Sequence, residues 1–315
     1  MGKNSSISWT DATFNPWIGC SKVSAGCSNC YAETLMDTRW KRAKWGAGEP
    51  RVVTSDSNWR EPIKWNAAAA AAGVRKRVFC ASLADVFEDH AELPPLRARL
   101  WELIEKTPWL DWMLLTKRAG NIAIMLPTSW QKNPRPNVWL GVTAENQATA
   151  DERIPQLLRV PAAVHWISAE PLLGPVSFRK WLPPGRANFQ CQKCQGFVNA
   201  LSRTCPHCGI GEGYFCGSHA GNKPDPSNKF SGWTNRQPLD WIIVGGESGH
   251  HARPMDAQWA RDILAECKAA GIAYHFKQKG EVLAKAMGCK DAVGKDPAEW
   301  PEDLRVQEFP KVWVA

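Results

Sequence analysis

Seven cysteines of this chain fall into two clusters whose spacing suits metal chemistry. Cys191 and Cys194 form one C-x2-C knuckle, and Cys205 and Cys208 form a second after ten intervening residues. Two such knuckles turn four thiolates toward one tetrahedral ion, the pattern of a zinc ribbon. Four protein ligands leave no open position, so the zinc expected here is structural. Binding it supplies folding energy that a short polar segment cannot draw from a core. Cys20, Cys27 and Cys30 form a different arrangement, C-x6-C-x2-C, followed at once by Tyr31-Ala32-Glu33. Three thiolates without a nearby fourth Cys or His do not close a zinc site. They suit a four-iron cluster whose fourth iron stays open to a small molecule. Of the remaining cysteines, Cys80 sits inside an apolar run, either as a buried small hydrophobe or as a hydrogen-atom donor, and Cys267 and Cys289 have no partner motif.

Other side chains able to do chemistry recur where apolar runs end. They are Ser82 and Asp85, Thr116-Lys117-Arg118, Thr143 and Glu145, Ser168 and Glu170, Gly245-Gly246-Glu247-Ser248, and Lys277 with Gln278. The runs that must position them read as strands at 5–10, 77–83, 110–115, 138–142, 164–168, 241–244 and 272–276. Between them lie helical patterns, in which Leu96, Leu100, Leu103 and Ile104 share one face, as do Trp259, Ile263, Leu264 and Cys267. A further helix is expected over 148–159, with Pro155 delaying its start or kinking it. Alternating strand and helix predicts an α/β fold with a parallel (β/α) barrel, partial or complete. Barrel enzymes carry their chemistry at the carboxyl ends of the strands, which is where these polar residues fall. Residues 184–237 lose the pattern and read as an insertion holding the ribbon. Residues 1–183 then form the first part of the barrel, and residues 238–315 its last part and a tail.

The 315 residues carry a formal charge of +8, and residues 1–186 hold 24 Lys and Arg against 17 Asp and Glu. A basic front suggests a polyanion, most simply nucleic acid. There are eighteen Trp against three Tyr, and Trp40, Trp45, Trp59 and Trp65 stand among Arg39, Lys41, Arg42, Lys44, Arg60 and Lys64. Interleaved aromatic and basic residues suit a nucleic-acid surface. No apolar run is long enough to span a membrane and no signal-peptide stretch opens the chain, so a cytoplasmic protein is expected.

The three-cysteine loop closing on Cys-x-x-Cys-Tyr-Ala, at the opening of a βα pattern, resembles the radical S-adenosylmethionine superfamily. More narrowly, the chain is similar to a bacteriophage three-cysteine-motif family through ISWTDATFNPWIGCSKVSAGCSNCYAE (7–33), LLTKR (114–118), NVWLGVTAEN (137–146), ISAEPLLGP (167–175), WIIVGGESGHHARPM (241–255) and HFKQKG (275–280). The resemblance implies a 4Fe-4S cluster on Cys20, Cys27 and Cys30 that binds S-adenosylmethionine. It implies reductive cleavage of that cofactor with an external electron donor, and hydrogen abstraction by the resulting 5′-deoxyadenosyl radical. Thr143, Glu145 and Glu170 stand where such a barrel holds the ribose and amino-acid part of the cofactor. Glu170, Lys117 and Cys80 are the candidate catalytic residues, and Lys117 with Arg118 suits a phosphate or carboxylate of the substrate.

Two departures from the superfamily bear on the site. Its usual spacing is C-x3-C-x2-C, and its Gly-Gly-Glu for the methionine amino group usually follows the second strand. Here Gly245-Gly246-Glu247 follows the sixth, so the cofactor contact falls either there or at Ser82–Asp85 after the second.

The family context implies an isomerase of thymidine hypermodification. It would move an amino-acid (glycyl) adduct on the thymine methyl carbon from nitrogen to carbon linkage, in phage DNA protected against host restriction. Other enzymes of a DNA-modification pathway would then supply the substrate, in the host cytoplasm if the chain is phage-encoded. Two further readings stay open: a pyrimidine-lesion repair enzyme similar to spore photoproduct lyases, in which Cys80 gains weight, and a non-enzymatic DNA-binding protein with zinc in both clusters.

Overall fold

The computed structural model describes residues 5–183, 238–249 and 251–311, and the backbone of three short strands, Phe189–Cys191, Phe197–Val198 and Phe215–Cys216. Seven strands build the main sheet: β1 (Ala12–Thr13), β2 (Lys76–Cys80), β3 (Leu110–Thr116), β4 (Val138–Thr143), β5 (Val164–Ala169), β6 (Trp241–Gly245) and β7 (Ala273–Gln278). Their order across the sheet is their order in the chain, and every neighbouring pair is parallel. Crossovers wound in one sense leave all helices on one face, so the sheet curls into a half-barrel. That is the partial form of the expected barrel.

The helices are α1 (Asp56–Ala72), α2 (Leu93–Glu105), α3 (Ala119–Met125), α4 (Gln147–Leu157), α5 (Ala257–Ala270) and α6 (Glu281–Ala286). Ile104, Ile122, Ile154 and Ile263 from four of them join Trp112 and Ile167 of the sheet in one buried core. Pro155 lies within α4 rather than delaying it. Asn146 caps the first turn by accepting from Thr149 N at 3.0 Å, so the helix starts at once.

The first strand is shorter and later than the apolar pattern predicts. Residues 5–10 form turns, with Thr10 N donating to Ile7 O. The alternation of Ile7 and Trp9 reflects packing into the half-barrel rather than strand pairing. Trp9 joins Met113, Trp139, Trp166 and Trp241 in a second buried cluster on the concave face. Gly141 makes room for it: a Cβ there would stand 2.4 Å from the Trp166 ring. This floor absorbs part of the tryptophan excess. Trp59 and Trp65, expected on a nucleic-acid surface, are 4% and 5% exposed and belong to the helix-side core.

After β5 the chain leaves through a turn at Arg179–Trp181 and re-enters at β6. In between, Phe189–Cys191 pairs antiparallel with both Phe197–Val198 and Phe215–Cys216. Cys194, Cys205 and Cys208 lie outside the described residues, and of Cys191 only the backbone is described, so the zinc expectation is not addressed there. No helix among the described residues is long and apolar enough to cross a membrane.

Candidate functional site

The carboxyl ends of the strands open onto a cavity of about 820 Å³, a size usual for small-molecule sites. Cys20, Cys27 and Cys30 are free, partly buried, and all line it. They sit on the long loop between β1 and α1. Beyond Cys30 the chain makes a single helical turn and then a wider π turn over Thr34–Arg39, in which Trp40 N donates to Leu35 O. Trp40 is half-exposed at the cavity mouth, with the Arg42 guanidinium 5.1 Å from its ring centroid.

Three buried carboxylates from strand ends grip the cysteine loop. Glu88, beyond β2, accepts from Ser21 N at 2.9 Å and Ser21 Oγ at 2.6 Å, and pairs with Arg51 at 2.8 Å. Glu145, beyond β4, is fully buried. It accepts from Gly26 N at 3.1 Å, from the Ser24 hydroxyl, and from Arg153 at 2.8 Å. Glu247, beyond β6, accepts from Asn29 Nδ2 at 3.1 Å and from Arg253 N and Nε, each at 2.8 Å. Burial alone would raise all three carboxyls. Their arginine and hydrogen-bond partners outweigh it and hold each below the ordinary carboxylate range.

For two of the thiols burial outweighs the groups that oppose it, Arg118 at Cys20 and the Glu33 and Ala32 N–H groups at Cys30. It pushes Cys20 up to about 12, with Asp85 adding to the effect, and raises Cys30. These sulfurs therefore stay protonated at neutral pH until a bound cation draws the proton off. Among the described residues, no group of three or more His, Cys, Asp and Glu converges on a single metal ion. A four-iron cluster does not need that focus, because each thiolate binds its own iron. Three partly buried thiols on one loop at one cavity fit such a group in number and donor type.

Several assignments made from sequence change place. Cys80 is fully buried in the helix-side core and does not line the cavity, because its neighbours Phe79 and Ala81 take the concave side. Its thiol is pushed up by burial alone. Glu145 is consumed by the loop and Arg153 and is absent from the cavity wall, so it supports the loop rather than a ribose. Gly245 and Gly246 are closely packed, and Gly246 also lines the cavity. A Cβ at Gly246 would stand 2.2 Å from Lys279 O, and one at Gly245 3.2 Å from Glu170 Oε1. Glu247 does line the cavity, although Arg253 and Asn29 occupy its oxygens.

The remaining candidates do meet at the cavity. Ser82, Lys117, Thr143, Ser168 and Glu170 all line it. Ser82 Oγ accepts from Asn15 Nδ2 at 3.0 Å, and Glu170 is paired with Lys277. Thr143 Oγ1 is buried with no hydrogen-bond partner among the described residues. The Lys117 side chain lies over Gly26 of the cysteine loop. Arg118 also lines the cavity, but its guanidinium is engaged by Asp85, Glu88 and Ser21. Sequence reasoning missed Ser24, Asn29, Arg153 and Arg253. Ser24 and Asn29 sit inside the quoted motif, but nothing in their spacing indicates the carboxylates they meet.

No curated protein and no solved structure matches the chain. A family model covers nearly all of it, residues 4–302, and the chain belongs to that family, described as protein of unknown function (DUF5131).

Proposed function

We propose that the chain is a radical S-adenosylmethionine enzyme acting on a modified base of DNA, most specifically an isomerase that converts a nitrogen-linked glycyl adduct of thymidine to its carbon-linked form. The carrying observation is that Cys20, Cys27 and Cys30 line one cavity at the carboxyl ends of a parallel half-barrel. A 4Fe-4S cluster on these three residues, with S-adenosylmethionine bound, would supply a carbon radical able to take an unactivated hydrogen.

The chain's own residues would do the rest. Glu88, Glu145 and Glu247 hold the loop in register, so the thiols need little reorganisation to receive iron. Ser82, Thr143 and Ser168 offer hydroxyls along the wall, and the Glu170–Lys277 pair offers both charges to an amino-acid moiety. The Trp-lined floor closes the lower end against water. At the mouth, Arg39, Lys41, Arg42 and Lys44 are exposed beside Trp40, which suits a duplex whose target base is turned outward and stacks on the indole. The ribbon cysteines would add a structural zinc.

The test is anaerobic reconstitution with iron, sulfide, reductant, S-adenosylmethionine and glycyl-thymidine DNA. Nucleosides and 5′-deoxyadenosine are then read by mass spectrometry. The expected result is 5′-deoxyadenosine together with an isomeric nucleoside of unchanged mass, both lost in Cys27→Ala. Cofactor cleavage with unchanged DNA would overturn the substrate. Zinc in the loop, with no iron and no 5′-deoxyadenosine, would leave a DNA-binding protein instead.

A further inference from the structure

We infer that Arg118 is a positioning residue for the cluster: it fixes the Cys20 sulfur and, through an N–H···S hydrogen bond, raises the reduction potential of the group held there. The inference rests on the iron–sulfur reading above and goes beyond it, because it concerns one side chain that touches neither cofactor nor substrate.

Arg118 Nη1 donates to Cys20 Sγ at 3.5 Å and to Asp85 Oδ2 at 2.9 Å. Nη2 donates to Ser21 O at 2.8 Å, Ser21 Oγ at 2.7 Å and Glu88 Oε1 at 3.2 Å. Its side chain is only 11% exposed. Asp85 is itself fixed by Thr116 Oγ1 at 2.8 Å and Lys117 N at 3.2 Å, so the guanidinium is anchored to the end of β3 on one side and to the cysteine loop on the other. The planar fork matters: one rigid group spans the sulfur, the carboxylate and the loop carbonyl at once, which an ammonium cannot do.

The three cysteines are not equivalent in this respect. Cys30 faces backbone N–H groups of Ala32 and Glu33, and Cys27 has the Ser24 hydroxyl at 4.0 Å. Among the described residues, Cys20 alone of the three accepts a hydrogen bond from a charged side chain. Positive charge and an N–H on a thiolate ligand favour the more electron-rich state, so they raise the potential. They favour an electron arriving from an external donor.

The test compares reconstituted wild type, Arg118→Lys and Arg118→Met for iron and sulfide content and for midpoint potential by redox titration followed by electron paramagnetic resonance. Both variants are expected to titrate at a more negative potential than wild type, with Met shifted further than Lys. Ser21→Ala, which removes one Arg118 acceptor, is expected to give a smaller shift of the same sign, and it carries the test if the Arg118 variants do not fold. A folded Arg118 variant that loads less iron than wild type also supports the inference. Full loading at an unchanged potential overturns it while leaving the cluster reading intact. A wild type that takes up no iron overturns both.

Discussion

Trp139 and Glu145 belong to the same stretch of chain, one at the floor of the half-barrel and one at its rim, and both are buried. Trp139 is held by shape. It packs with Trp9, Trp166 and Trp241, and the Nε1 atoms of Trp9, Trp139 and Trp166 find no hydrogen-bond partner among the described residues. Glu145 is held by polar contacts: Ser24, Gly26 and Arg153 meet its oxygens. The floor gains from removing apolar area and tolerates an idle indole N–H, because the ring is mostly carbon. The rim buries full charges, which is sustainable only with partners. Stability and site chemistry therefore occupy successive layers of the same strands. A substitution in one layer should be felt differently from one in the other.

Removing floor volume should have the largest effect on stability. Trp166→Ala is expected to cost about 3–5 kcal/mol, read as a lower urea midpoint, because a fully buried ring leaves a void that the sheet cannot collapse. If the loss is under about 1 kcal/mol, the floor is not the stabilising layer.

Glu145→Gln should cost less, about 1.5–3 kcal/mol, because the amide keeps an acceptor but leaves buried Arg153 without its counter-charge. Its distinguishing readout is local, namely faster hydrogen exchange over residues 20–30 while near-ultraviolet circular dichroism of the tryptophans persists. The same loop should loosen in acid. A carboxyl held below its unfolded value of about 4.3 gives its full stabilisation above that pH and loses it as pH falls through the lower folded value. Wild type should therefore show loop opening below about pH 4, and Glu145→Gln should flatten part of that dependence. Equal protection of the loop in both proteins across that range would break the comparison.

Trp40→Ala should change stability least, within about 0.5 kcal/mol, because the side chain is 51% exposed. Under the proposed function it should still weaken binding of single-stranded or flipped-base DNA by about 1–3 kcal/mol, measured by fluorescence anisotropy at fixed salt. Unchanged DNA affinity would separate the aromatic mouth from nucleic-acid recognition.

The repeating pattern of the fold was legible in the chain. Strands β2 to β7 fall within two or three residues of the apolar runs, because each pairs on both sides or is covered by a helix, so hydrophobicity marks it. The first strand was not legible, since Ile7 and Trp9 carry strand-like alternation for a different reason. The three cysteines were legible as a group on one loop, and the loop's conformation was not. Glu88, Glu145 and Glu247 are separated from the residues they hold by 67, 119 and 218 positions, and no local pattern encodes such contacts.

Residue type and spacing by themselves determined the α/β alternation, the polar strand ends and the three-thiol loop. Those features depend on local periodicity and on the intrinsic chemistry of sulfur and carboxylate. Only the tertiary structure decided which polar ends face the cavity and which are consumed in support. It turned Cys80 inward, spent Glu145 and Arg118 on the loop, left Thr143 Oγ1 unpartnered on the cavity wall, and sent Trp59 and Trp65 to the core. The reason is geometric. Successive side chains of a strand point to opposite faces, so one residue of register and the curl of the sheet decide which group reaches substrate space.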